Sequence, residues 1–232
     1  FSGACSFIAP ALAGIGAYFW AGRRHALAEA RRMADEDAAR YTRLWEDQLL
    51  PTAGFREALR SLEEGAWREV QGGALRLPKR QLSAPSLHAL LTQADELNDL
   101  LQAKLHDVCV AHGGEPHACG IKAEARALQK VFRSYRGDWR RLGDLCRTSL
   151  VFDALAQLEA CLRAIGADAE LQVVHAGDAK MRLREGFDAA ALSGGYRDIQ
   201  LCVRLNTVEA RKRGVHEHVA EVQLHFAPIF AL

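Results

Sequence analysis

Leu87, Leu90, Leu91, Ala94, Leu97, Leu101, Leu105 and Val108 recur at steps of three and four. That spacing lays them along one stripe of a helix of about 25 residues, closed by Gly113 and Gly114. Upstream, Leu27, Met33 or Ala34, Tyr41, Leu44, Trp45 and Leu49 fall near helical spacing in a run rich in Ala, Arg, Glu and Asp. A long, mostly exposed helix ended by Pro51 is expected there, then a second from Thr52 to about Val70 that stops at Gly72 and Gly73. Leu75 to Ser86 carries two prolines and reads as a linker. Beyond Gly120 the units shorten: a helix over Ile121–Tyr135, a strand over Leu145–Phe152, a helix from Asp153 to about Ala164 ended near Gly166, and a strand over Glu170–Ala176. Two closing strands, Gly194–Leu205 and His218–Phe226, are joined by a basic loop, Asn206–Glu217. The class expected from this order is α+β, a mixed sheet flanked by helices.

Both closing strands have a second face that is not merely wet. In Gly194–Leu205, Ile199, Leu201, Val203 and Leu205 alternate with Tyr196, Asp198, Gln200 and Cys202. In His218–Phe226, Glu221, Gln223 and His225 share one face while Ala220, Val222, Leu224 and Phe226 take the other.

The first residues change the picture again. Phe1 to Gly22 carries no charged residue and is closed by Arg23 and Arg24, a length that suffices to cross a bilayer as a helix. Tyr18, Phe19 and Trp20 stand where interfacial anchors are expected. Ala9, Ala13, Ala17 and Ala21, with Gly14 and Gly16, form a smooth face suited to another membrane helix. The expected organisation is a transmembrane helix at 1–22, a helical stalk and linker at 23–85, and a folded domain at 86–232. A start at Phe rather than Met suggests a processed or partial chain, with loss of a targeting segment ahead of residue 1 as one expectation.

Charge narrows the partners. Lys and Arg number 30 against 29 Asp and Glu, so no overall pull toward nucleic acid is expected. The six cysteines are scattered, as suits a reducing compartment or buried thiols. Cys109, His112, His117 and Cys119 lack the spacing of paired zinc motifs and read as helix-end and loop residues.

Candidate chemistry gathers in the second half. Lys122, Arg126 and Lys130 are spaced by four and project from one helix face, with Arg133 close by. Asp144 opens an otherwise apolar strand, and Glu221 interrupts another. A carboxylate in such a strand needs a partner or a metal. Two of them, met by a stripe of cations, suit a magnesium ion and a triphosphate: oxygen ligands for the hard cation and Lys or Arg for the remaining charge.

KAEARALQKVF, LGDLCRTSLVF, AKMRL, GGYRDIQL and AEVQLHF follow one another in that order, and through them the chain resembles the RelA/SpoT family of alarmone synthetases from Ser86 to Phe226. The resemblance implies a nucleotidyltransferase-like domain that transfers pyrophosphate from ATP to the ribose of GDP or GTP. It implies Asp144 and Glu221 as catalytic magnesium ligands. Lys122, Arg126, Lys130, Arg147, Lys180 and Arg182 would face phosphates, and Tyr196 would stack on the acceptor guanine. The chain departs from the family at Asp198 and Gln200, where the synthetases have serine and histidine, and at His225, where they have arginine. The helix that normally follows the last strand is expected to be cut short. These departures resemble a divergent eukaryotic branch. Together with the small-residue helix at Phe1–Gly22, they lead to the expectation of a membrane-tethered, non-catalytic or nucleotide-binding accessory subunit of an organellar membrane complex, in plastid or mitochondrion. It would be single-pass, with its soluble domain on the Arg23/Arg24 side and other membrane-protein subunits as partners. The alternative is a magnesium-dependent nucleotide pyrophosphotransferase of the (p)ppGpp synthetase type that takes ATP or GTP.

Overall fold

The computed structural model describes residues 5–77 and 80–232. Helix α1 runs without interruption over Cys5–Arg43 and widens into a π-helical turn at Leu44–Leu49. Arg23 and Arg24 do not end it, because the Ala, Arg, Glu and Leu that follow are strong helix formers. The expected membrane span begins in Phe1–Ala4, outside the described residues. Among the described residues no helix is long and apolar enough to cross a membrane.

The second expected helix is α2 (Phe55–Arg60), a π-helical turn at Ser61–Trp67, and α3 (Arg68–Gly73). The apolar stripe at 87–108 becomes α4 (Leu87–Ala111), with the Ser86 side chain accepting from the Ala89 amide at its N-cap. Leu90, Ala94, Leu97, Leu101, Leu105 and Cys109 are its fully buried positions. Then come β1 (Glu115–Ala118), α5 (Glu124–Tyr135), β2 (Arg147–Phe152), α6 (Leu155–Ala167), β3 (Leu171–His175), α7 (Ala189–Ser193), β4 (Ile199–Leu205), α8 (Val208–Lys212), β5 (Ala220–Phe226) and α9 (Ala227–Phe230).

Some expectations need correction. Residues 115–118, read as loop, form an edge strand paired with β2, where Pro116 is tolerated as it is at sheet edges. Gly166 lies inside α6 instead of ending it. A Cβ there would meet Val70 Cγ2 at 2.6 Å, so the glycine lets α3 pack closely. The strand expected from Gly194 starts only at Ile199, because Gly194 and Gly195 hold φ +62 and +87 and turn the chain first. The basic loop at 206–217 contains α8, capped by Thr207.

The five strands order as β1-β2-β5-β4-β3, and only β2 with β5 is parallel. Register puts Leu150 beside Leu224 and Phe152 beside Phe226, with Ile199 and Leu201 of β4 opposite Leu224 and Val222. This apolar face packs in one core with Leu158, Leu162 and Ile165 of α6 and the stripe of α4. Trp45, Leu62, Trp67 and Val70 belong to the same core. The segment read as a linker is fastened to it. The Gln81 side chain donates to the carbonyls of Leu142 (2.8 Å) and Val219 (2.7 Å) and accepts from the Val219 amide (2.9 Å).

Candidate functional site

The other face of the sheet is polar yet sheltered. β2 contributes Arg147 and Ser149, β5 contributes Glu221, Gln223 and His225, and β4 contributes Gln200. Arg147 pairs with Glu221, and Ser149 and Gln200 both lie beside Gln223. Ser149 Oγ donates to Gln223 Oε1 at 3.4 Å, and Gln223 Nε2 donates to Glu221 Oε1 at 2.9 Å. The Glu221 amide donates to the Cys146 carbonyl at 3.0 Å, two residues past Asp144. Because β2 and β5 run in the same direction, Asp144 and Glu221 stand at the same end of the sheet, where both strands begin.

Asp144 lies in a buried turn ahead of β2 and is 7% exposed. Its Oδ2 accepts from Lys122 Nζ and, at 2.7 Å, from Lys130 Nζ. Its Oδ1 is buried with no hydrogen-bond partner. Burial pushes this carboxyl up, but the two lysines outweigh it and hold the group below the usual carboxylate range. Burial in turn lowers Lys130, and Asp144 more than offsets that, so the ammonium is raised. Lys122 and Lys130 reach one point from the two ends of a short path: the Lys122 amide bonds the Leu145 carbonyl at 2.9 Å, and α5 carries Lys130 two turns on. Beside them a surface cavity of about 440 Å³ is lined by Lys122, Arg126, Gln129, Lys130, Arg133 and Ser134.

A second group of side chains lies across the sheet. Arg182 donates to Asp198 Oδ1 at 2.6 Å, and Gln200 Nε2 donates to Asp198 Oδ2 at 3.0 Å. Asp198 is 1% exposed. Lys180 donates to Gln200 Oε1 and lies 3.8 Å from Glu221 Oε2. The Tyr196 hydroxyl and His225 Nδ1 share a hydrogen bond of 2.7 Å. Burial pushes the His225 imidazole down to about 4, so it is neutral near pH 7 and does not replace the arginine charge expected at that position. Burial also pushes the Tyr196 phenol up. Tyr41 of α1 meets the Tyr196 ring edge-on, with centroids 5.4 Å apart at 86°. α1 comes so close that a Cβ on Gly195 would lie 2.7 Å from Tyr41 Cβ and 2.9 Å from the Ala38 carbonyl.

The structure therefore brings Lys122, Lys130 and Asp144 together with Arg126 beside them, and Lys180 together with Glu221. Arg147 is next to Glu221 in register and has a buried Nε without a partner. Arg182 is turned to Asp198 and Tyr196 to His225. Sequence reasoning missed Gln129 and Ser134, which lie on the α5 face between the cations. It also missed Tyr41, for which the only local signal is Gly195, on which it packs. Cys109, His117 and Cys119 form no metal group: among the described residues no cluster of three or more His, Cys, Asp or Glu could hold a metal ion. Magnesium does not need one when phosphate and water complete its shell. The unpartnered Oδ1 of Asp144 fits such an ion, whereas both oxygens of Glu221 already have protein partners.

No family model and no curated protein matches the chain. Solved structures do. One is the complex between the Type VI effector Tas1 and its immunity protein, at 19% identity over 64% of this chain and 66% of that chain, with a TM-score of 0.41. Another is small alarmone synthetase 1 from Bacillus subtilis, at 17% identity over 60% and 70%, TM-score 0.44. The same synthetase bound to its product pppGpp gives 18%, 62% and 75%, TM-score 0.44. This chain is similar to RelA/SpoT-like proteins. The similarity concerns fold alone and covers about two thirds of the Tas1 chain, so the roles of residues rest on the geometry above.

Proposed function

We propose that this RelA/SpoT-like domain binds a magnesium nucleoside triphosphate in the basic cavity beside Asp144. From there it transfers the pyrophosphate group to a hydroxyl of an acceptor lying along Tyr196. The observation that carries this reading is Asp144: a buried carboxylate with one oxygen on two lysines and the other without a partner, those two lysines lining a cavity with two further cations. Buried polar atoms are nearly always paired, and an orphan beside cations suits a site whose ligand completes it.

Lys122, Arg126, Lys130 and Arg133 would neutralise the triphosphate, whose charge a protein must offset in phosphoryl transfer. Asp144 would hold magnesium, with Glu221 joining it by exchanging Lys180 and keeping Gln223. When bound, that ion supplies charge neutralisation at the phosphate oxygens. In the transfer, the acceptor hydroxyl oxygen bonds to the β-phosphorus and the bond from that phosphorus to the oxygen of the α-phosphate breaks. The nucleoside monophosphate leaves with the electron pair, and the hydroxyl proton passes to Glu221. Ser149 and Gln223 hold that carboxylate in place.

The test is calorimetric titration of the full chain with ATP and GTP, with and without magnesium, followed by chromatography for the released nucleoside monophosphate. Binding that depends on magnesium and is lost in the Asp144→Ala, Glu221→Ala double variant supports the reading. No heat and no shift in melting temperature with either nucleotide ends it.

A second reading is favoured by the internal pairing of Arg182 with Asp198 and the edge contact of Tyr41 on Tyr196. In it the domain binds a nucleotide without turnover and serves as an accessory subunit of an organellar membrane complex, held through its N-terminal segment. Purification in mild detergent as a lone monomer would end this second reading.

A further inference from the structure

Helix α5 has two apolar rows, and the domain covers one of them. Ala127 and Val131 are buried, whereas Ala125, Leu128 and Phe132, at spacings of three and four, are exposed, Phe132 by 72%. A helix that only packs on a sheet needs a single apolar stripe. The charge beside the second row is one-sided as well. Apart from the four cations of the cavity, the turn after α5 carries Arg136, Arg140 and Arg141 with one acid, Asp138. Asp138 is shared by Arg140 at 3.0 Å and Arg80 at 2.8 Å, while Arg136 and Arg141 make no ion pair among the described residues and Arg141 lies over the Tyr135 ring at 5.0 Å. Arg80, Arg136, Arg140 and Arg141 therefore outnumber the carboxylate they surround by three. Glu124, the other acid of this stretch, stands in the first turn of α5, at the far end of the helix.

We infer that the exposed row of α5 and the arginines after it form a docking surface for an anionic phospholipid bilayer. This goes beyond the transferase reading and does not rest on it. Leu128 and Phe132 enter the boundary between headgroups and acyl chains, and the arginines meet the lipid phosphates and carboxylates. Apolar side chains rimmed by cations match such a surface on both counts. The other end of the chain indicates this occupant. Phe1–Gly22 carries no charge, and Tyr18, Phe19 and Trp20 are exposed on α1. About 20 helical residues, about 30 Å, separate them from the last turn of α1, which is seated on Gly195. An uncharged, aromatic-flanked segment thus lies on a tether short enough to keep the domain at a bilayer surface, where a weak second contact suffices. At about fivefold per cation, an excess of three charges favours an anionic over a neutral leaflet about a hundredfold.

The experiment combines the full chain, by detergent dialysis, with vesicles of phosphatidylcholine alone or with about 30% phosphatidylserine. Both carry brominated acyl chains, which quench tryptophan in contact with the bilayer. Phe132→Trp adds one indole to the four native tryptophans, and its signal is the difference from wild type. Quenching of the added indole is expected to be at least threefold stronger with phosphatidylserine. It should fall to the phosphatidylcholine level in about 1 M salt, where the Debye length is about 3 Å. Arg136→Glu with Arg141→Glu, made in the Phe132→Trp chain, should abolish the difference between the vesicles. Arg136→Gln with Arg141→Gln only removes charge, should at least halve the difference, and serves if the reversed pair does not fold. Equal quenching in the two vesicles, or none in either, overturns the inference. So does a difference that survives both charge variants. A polyuridine strand bound by wild type and released by the charge variants, with no effect of phosphatidylserine, assigns the surface to nucleic acid and overturns it too. No arm reads nucleotide binding, so failure here leaves the transferase reading standing.

Discussion

Asp144→Asn separates two jobs that the wild-type carboxylate performs together. In the folded chain Asp144 Oδ2 gathers Lys122 and Lys130, and the side chains are 10%, 15% and 33% exposed. Removing the negative charge leaves two ammonium groups converging on one amide oxygen. Two like charges about 4 Å apart repel by about 4 kcal/mol at an effective dielectric of 20. Lys130, a third exposed, can swing toward water and shed much of that, so a net loss of about 2 kcal/mol is expected at pH 7. The pH dependence has a definite sign. Because the folded-state carboxyl is held below its usual range, its contribution is present above the unfolded pKa of about 4 and is lost as pH falls through the lowered value. Urea midpoints at pH 7 and near pH 3 should therefore show a gap between wild type and variant that narrows in acid. The same variant frees both lysines. ATP binding in EDTA should be retained or strengthened, and the extra affinity conferred by magnesium should disappear. A variant within about 0.5 kcal/mol of wild type at pH 7, or one that keeps its magnesium dependence, would refute this account of Asp144.

Arg197 donates to the carbonyls of Arg184 (2.8 Å), Phe187 (2.9 Å) and Arg182 (3.3 Å) and stacks over Trp45 at 4.1 Å. Arg197→Met should lower stability by about 2–4 kcal/mol in urea denaturation. Gly195→Ala forces a side chain onto φ +87 and against the Ala38 carbonyl, so a loss of about 2 kcal/mol is expected, with faster hydrogen exchange in α1 around Ala38. An unchanged melting temperature would show that α1 is not seated there. Burial pushes His218 down to about 4 and leaves both ring nitrogens without partners. Its neutral form stabilises the fold fully above pH 6.5, and roughly 2.5 kcal/mol should be lost between pH 6.5 and 4.5. His218→Leu should flatten that acid limb of the urea midpoint against pH.

How much of this was legible depended on whether the signal was local. The stripe from Leu87 to Val108 needed only a period of 3.6, and α4 follows it closely. The alternation in AEVQLHF fixed which residues share a face, and Glu221, Gln223 and His225 do share the polar one. β1 had no such signal. Its four residues, EPHA, do not alternate, and it is a strand only because β2 offers an open edge. The direction of Asp198 was equally hidden. It precedes β4, behind two glycines in the left-handed region, and its partner Arg182 lies sixteen residues earlier. The serine or histidine of the resembling family could be compared with Asp198 and Gln200 by position, but not by what they face.

The parallel pairing of β2 and β5 ties site and fold together. Glu221 reaches the polar face only because Arg147 is its neighbour in register and its amide closes on Cys146. A slip of one residue would turn Glu221 into the core face among Leu150, Leu224 and the stripe of α6, and bring Val222 out. The energy that resists the slip comes from Val222, Leu224 and Phe226, all buried against that core. The two carboxylates are therefore held at the same end of the sheet by residues that never touch a ligand. Trimming the core at Leu224 or Phe226 should loosen the site before it unfolds the chain, whereas changes at Arg126 or Arg133, on the rim of the cavity, should weaken triphosphate binding and leave the register untouched.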